Sequence, residues 1–161
     1  MNNLTKTLIE SSYTKKQALS RLELIRQNIQ SKLFTKETQG SKPSDDQVWV
    51  DSLNPEVLAE LTKENSSQIF DSSKQEIETL KLLIVYLSFD PEKESIDKIG
   101  KWVKENISKD MLMEIKISPK LIAGCALSYN GFIKDFSIKS RIEQNRAEVL
   151  ANLQRFNKAG S

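Results

Sequence analysis

The residues able to do chemistry in this chain of 161 form a short inventory, because histidine is absent and Cys125 is the single cysteine. Ser–His and Cys–His nucleophilic pairs are thereby excluded, as are histidine-containing or multi-cysteine zinc sites. Cys125 lies in an apolar run with no base to take its proton, which suits a small core residue. Asp135 and Ser137 stand two apart, yet without a general base their spacing suits a turn and a helix cap. Asp45 and Asp46, Glu76 and Glu78, and Glu92 and Glu94 pair carboxylates in sequence only. Each pair fits a solvated helix face or a favourable charge at a helix N-terminus. No G-x-x-x-x-G-K-S/T occurs, so nucleotide binding by a P-loop is excluded. The expectation is a chain with no cofactor and no catalytic residues.

Bulk composition points the same way. Lys+Arg number 24 against 22 Asp+Glu, a net charge of +2, with 38% hydrophobic and 7% aromatic residues. A nucleic-acid binder usually carries a basic field strong enough to displace condensed counterions, and this balance shows none in bulk. One cysteine allows no internal disulfide, so nothing suggests an oxidising compartment. Met1–Lys6 lacks the pattern of a signal peptide, and the most apolar stretch, Leu82–Leu87, is far short of the roughly 20 residues that span a bilayer. The chain reads as soluble and intracellular, reaching a membrane only through partners.

The elements that would position these residues change character near residue 78. Before it, the pattern is helical. Leu19, Leu22, Ile25, Ile29 and Leu33 recur at spacings of three and four, predicting a helix from Lys15 to Phe34. Thr35 to Pro43 loses the period and collects Gly40, Ser41 and Pro43, so a loop is expected. Ser44 is a candidate N-cap for a short helix presenting Val48 and Trp49. Asn54-Pro55 would start another helix, with Val57, Leu58 and Leu61 on its buried face. A further helix is expected from Ser72 to about Leu80, through Ile77.

After residue 78 the order is strand, helix, strand, strand, helix. Leu82 to Leu87 is a short apolar run rich in strand formers, stopped by Asp90-Pro91. Glu92 to Asn106 is helical, with Ile96, Ile99, Val103 and Ile107 on one face and Trp102 beside it. Met111 to Ile117 alternates as a strand, placing Met111, Met113, Ile115 and Ile117 together. Leu121 to Tyr129 is a second apolar run, leading to Asn130-Gly131 and then Phe132 to Asp135. An Asn-Gly pair between strand-like runs signals a type I′ hairpin. Ser137 would cap a last helix with a buried stripe of Ile138, Ile142, Val149, Leu153 and Phe156. Gly124 fits close packing of strand on helix, with a bulge or close backbone approach as the alternative. The fold class is α+β: a helical domain over 1–78, a small α/β domain over 79–157, and a tail over 158–161.

Taken in order, the segments from Leu82 to Leu153 resemble the C-terminal region of the F-type ATP synthase delta subunit. Its mitochondrial counterpart is the oligomycin-sensitivity-conferring protein. The matching pieces are Tyr86-Leu87-Ser88-Phe89-Asp90-Pro91, Ile99-Gly100-Lys101-Trp102-Val103, Ile115-Lys116-Ile117-Ser118-Pro119-Lys120-Leu121-Ile122-Ala123-Gly124, and Gly131-Phe132-Ile133-Lys134-Asp135-Phe136-Ser137-Ile138. Ala123 replaces the first of two glycines usual in the family, Phe136 stands where a small residue is frequent, and Ser118 where one is often acidic. The N-terminal part is shorter than the family's six-helix domain and matches no motif of it.

The resemblance implies a non-catalytic stator adaptor at the cytoplasmic face of the inner membrane. Its N-terminal helices would meet the alpha subunits of the catalytic head, and its C-terminal part the stalk b subunit. By that implication the partner-binding candidates are Leu22, Ile25, Ile29 and Trp49 in the helices, against burial within the bundle. In the last helix they are Arg141 and Arg146, against a solvated face. Gly124, Asn130, Gly131, Asp135, Ser137 and Ile138 are the structural motif residues. A small RNA-binding module is the alternative, disfavoured by near-neutral charge and by strands offering Tyr86, Tyr129 and Phe132 only as scattered aromatics.

Overall fold

The computed structural model describes residues 2–34, 45–53, 61, 65–146, 148, 150–151 and 155. The architecture is α+β. In chain order the elements are α1 (Asn3–Ser11), α2 (Lys15–Phe34), α3 (Asp45–Asp51), α4 (Ser66–Thr79), β1 (Leu83–Leu87), α5 (Lys93–Asn106), β2 (Met113–Ile117), β3 (Cys125–Tyr129), β4 (Phe132–Asp135) and α6 (Ile138–Gln144). Contacts divide the chain into two units, 1–82 with 94–114, and 83–93 with 115–161. Whereas the sequence pattern suggests one boundary near residue 78, the contacts group the α5 segment with the N-terminal helices.

In the first unit, α2 spans the predicted Lys15–Phe34, while α1 carries no sequence expectation of its own. Asn2 caps α1 by accepting from the Thr5 N–H at 2.7 Å, which satisfies one of the first-turn donors left without a helical partner. Leu4, Leu8 and Ile9 of α1 join Leu22 and Ile25 of α2, Val50 of α3, and Phe70 and Ile77 of α4 in one apolar core, completed by Leu112. The last predicted helix of this part begins six residues earlier than its pattern suggests, at Ser66, because Ile69 and Phe70 pack inward as well as Ile77. The expected loop at Thr35–Pro43, its Ser44 cap and the helix start at Asn54-Pro55 fall outside the described residues. So do Val57 and Leu58; Leu61 packs against the core.

Helix α5 seats on this bundle through Gly100. A Cβ there would lie 2.4 Å from the Tyr13 side chain, closer than carbon atoms approach, so only glycine admits the contact. Val103 is buried, and Ile96 and Ile99 are half-buried. Ile107, expected on the same face, lies past the helix end and is exposed, as is Trp102. The Met113 N–H donates to the Tyr13 carbonyl at 2.9 Å, tying the start of β2 to the turn between α1 and α2.

The sheet has the order β2-β1-β3-β4. In the second unit β1 runs antiparallel to β3 with Ile84 opposite Ser128, and β3 antiparallel to β4 with Tyr129 opposite Phe132. Leu83, Val85 and Leu87 are buried while Ile84 and Tyr86 are half-buried, so the continuous apolar run is partly covered on its second face as well. The run Leu121–Tyr129 becomes a strand only from Cys125. Leu121 first turns back to the Ser118 carbonyl, and Gly124 then adopts φ +93°. The alternating face of β2 also fades along its length, from fully buried Met113 to exposed Ile117.

Candidate interaction surfaces

Two surfaces could receive a partner, one in each unit. In the first, α2 and α4 leave a shallow groove between Leu19, Leu22 and Phe70, with Glu23, Arg26, Asp71 and Lys74 around it. Its apolar floor is closed, since Leu22 and Phe70 are both buried. Ile25 is fully buried and Ile29 packs against the core, so the α2 stripe holds the bundle together before it offers anything outward. The rim carries two acidic and two basic side chains.

Trp49 is engaged inside the unit. The Arg21 guanidinium sits over its ring at 4.3 Å, donates from Nε to Asp46 Oδ1 at 2.9 Å, and donates from Nη1 to the Ser11 carbonyl at 2.6 Å. One side chain therefore fastens α3 and the end of α1 to α2. Its charge is compensated on two sides, which is what permits an almost fully buried guanidinium. Sequence periodicity passes over Arg21, because an arginine inside an apolar stripe is usually read as its polar edge.

Lys104 of α5 is a half-buried cation without a sequence signal. Its Nζ donates to the carbonyls of Ile9, of Glu10 at 2.9 Å and of Lys109 at 3.1 Å. The first two carbonyls belong to the last turn of α1, where no intrahelical donor remains and a cation is favoured. Burial pulls Lys104 from the ordinary 10.5 to about 8, against the opposing pull of Asp110 and Glu10, with Arg21 adding slightly to the lowering.

In the second unit the hairpin and its following turn are built by the expected residues. Asn130 and Gly131 both have positive φ, +50° and +82°, as a type I′ turn requires. At Gly124 a Cβ would lie 2.7 Å from the Phe136 carbonyl oxygen and 3.0 Å from the Ser137 Cα, so a close backbone approach and a positive φ act together there. Asp135 Oδ1 accepts from the Ser137 N–H at 2.7 Å, and Ser137 Oγ accepts from the Ser140 N–H at 3.2 Å. The hydrogen bonds from Ser137 hold the Asp135 carboxyl below its ordinary 3.8. The Ile138 N–H donates to the Ala123 carbonyl at 2.9 Å, closing the turn.

Beyond that turn the buried stripe expected for the last helix is corrected by the structure. Ile138 is 48% and Ile142 51% exposed, and no residue of α6 is buried, because none of the described residues covers this helix. Val149, Leu153 and Phe156 lie outside the residues whose side chains are described. The neighbouring edge strand is equally open, with Phe132 82% and Ile133 70% exposed. Between β4 and α6 lies a hollow bordered by Ile133, Lys134, Asp135 and Phe136 on one side and Ser140, Arg141 and Gln144 on the other. Arg141 is exposed on α6, and Arg146 is exposed just past its end. Exposed apolar side chains gathered on an edge strand and its adjoining helix are the mark of an interaction surface.

Among the described residues no three or more acidic or cysteine side chains gather as a metal site, and no helix is long and apolar enough to cross a membrane. No family model matches the chain. It is similar to a curated protein, ATP synthase subunit delta of Hydrogenobaculum sp. (strain Y04AAS1), at 27% identity over 128 residues. That similarity covers 78% of this chain and 69% of the relative. A match of 128 residues is longer than Leu82–Leu153, so the likeness extends into the N-terminal helices.

Proposed function

We propose that this chain is a non-catalytic adaptor of an F-type ATP synthase, a delta-type subunit joining the catalytic head to the peripheral stalk. The observation that carries the reading is the similarity to a delta subunit over most of both chains. The two surfaces support it, since a stator must hold head and stalk at once against the torque of rotation. Two modest interfaces on one chain bind far more tightly together than either does alone. In this reading the first unit meets alpha subunits, the second meets the b subunit, and the chain stands at the cytoplasmic face of the membrane through the complex. The role asks for no reaction, and the side chains on both surfaces are those of docking rather than of catalysis.

The reading is tested by washing membranes from cells that lack the chain. Loss of ATP hydrolysis activity into the low-salt wash, with retention restored by adding back purified chain, is the expected result. Membranes that keep the catalytic head equally well without the chain would overturn it.

A further inference from the structure

Strand β4 closes one end of the strand order, and among the described residues no strand lies beyond it. The Phe136 N–H donates to the Cys125 carbonyl at 2.8 Å, and the register sets Lys134 opposite Leu127 and Phe132 opposite Tyr129. Ladder bonds alternate along an antiparallel pair, so Phe132, Lys134 and Phe136 point their backbone groups at β3. Ile133 and Asp135 therefore turn theirs outward, each with one donor and one acceptor. The strand is exposed throughout and has neither a proline nor a bulge to blunt that edge. The hollow beside it is lined by all of residues 133–136, whose side chains alternate between the two faces of the sheet. It therefore runs along the edge rather than over one face, with Ser140, Arg141 and Gln144 of α6 as its far wall.

We infer that the outer edge of β4 takes up an extended, antiparallel segment of a partner protein. Opposite Asp135, Lys134, Ile133 and Phe132 that segment carries, in its own chain order, a basic, an acidic, a β-branched and an aromatic residue. Outward N–H and C=O groups are satisfied by another extended backbone, since a helix keeps its own bonded internally. Side chains opposite one another in a sheet select by charge and shape, which sets the order of the four. The aromatic residue would extend the row begun by Tyr129 and Phe132. A second copy of this chain matches less well. The register that engages both outward residues, Ile133 facing Asp135, sets Lys134 against the Lys134 of the copy. The inference stands apart from the synthase reading, because it names a backbone conformation and a charge order and no particular subunit.

The test uses the full chain, isotope-labelled, and two short peptides, one carrying Lys-Glu-Val-Tyr and the other Glu-Lys-Val-Tyr. In the free chain the Ile133 and Asp135 amides should exchange rapidly, and the first peptide should slow both. It should bind about tenfold more tightly than the second at low salt, with the gap closing as salt rises. Ile133→Pro removes an outward donor without touching a bond to β3, and should abolish binding. Lys134→Glu should reverse the preference at that position, so that a Lys-Lys-Val-Tyr peptide binds more tightly than Lys-Glu-Val-Tyr. An unchanged spectrum in β1 and β3 verifies the fold of both variants. Ile133 and Asp135 amides already protected in the free chain would overturn the inference, by showing the edge covered. So would equal binding of the two peptides, slowing confined to other amides, or protection that grows with chain concentration alone.

Discussion

At Gly124 the backbone runs at φ +93°, and an added methyl group would press on the Phe136 carbonyl and the Ser137 Cα. Both groups are backbone and cannot swing aside, so Gly124→Ala should lower stability by about 2 kcal/mol, read from urea unfolding. Gly131 also has a positive φ but open space around it, so Gly131→Ala should cost less. Lys104 gives a pH signature instead. Its folded value of about 8 lies below the 10.5 of the free side chain. Between those values the unfolded chain binds more protons than the folded one, so the lysine's contribution to stability rises with pH through that window. Unfolding free energies at pH 7.5 and 9.5 should show the rise in the parent chain and a flatter response in Lys104→Met. An identical response in both would refute the assignment. Asp135 acts at the other end of the scale. Its contribution is present above the ordinary carboxylate range and is lost as pH falls through its lowered value, and Asp135→Asn should remove that acid dependence.

Among the elements, α3 is held by the burial of Val50 and by one polar clamp, Arg21. Arg21→Gln removes the contact to Asp46 Oδ1, the donation to the Ser11 carbonyl and the cation over Trp49 at one stroke. The expected cost is about 2–3 kcal/mol, because the carboxylate and carbonyl lose a buried partner. In hydrogen exchange the amides of α3 should lose protection before those of α2 and α4; simultaneous loss would show that the clamp is not local. Elements were legible in the sequence where one local rule governs them. The period of α2 gives its full extent, the Asn130-Gly131 pair gives the hairpin, and Asp135 with Ser137 gives the turn into α6. The α1 helix went unread because it is short and its cap is an asparagine at the second residue. Arg21 and Lys104 were illegible because their roles depend on carbonyls and rings contributed by other elements. The buried stripe assigned to α6 failed for a related reason. Helical spacing marks an apolar face without saying whether the same chain covers it, and here Ile138 and Ile142 stay open.

For the whole molecule, what matters is that each unit has both enclosed and open apolar side chains. Leu22 and Ile25 are enclosed in the helical unit's core, while Phe132, Ile133, Ile138 and Ile142 of the second unit stay open. The measurement that tests the central claim most directly is cross-linking with mass spectrometry on the tagged chain, recovered from its own cells' membranes. The account predicts ATP synthase alpha subunits linked to lysines of the helical unit such as Lys74, and the stalk b subunit linked to Lys134 or Lys139. Clean recovery of other partners, with no synthase subunit among the cross-links, would contradict it.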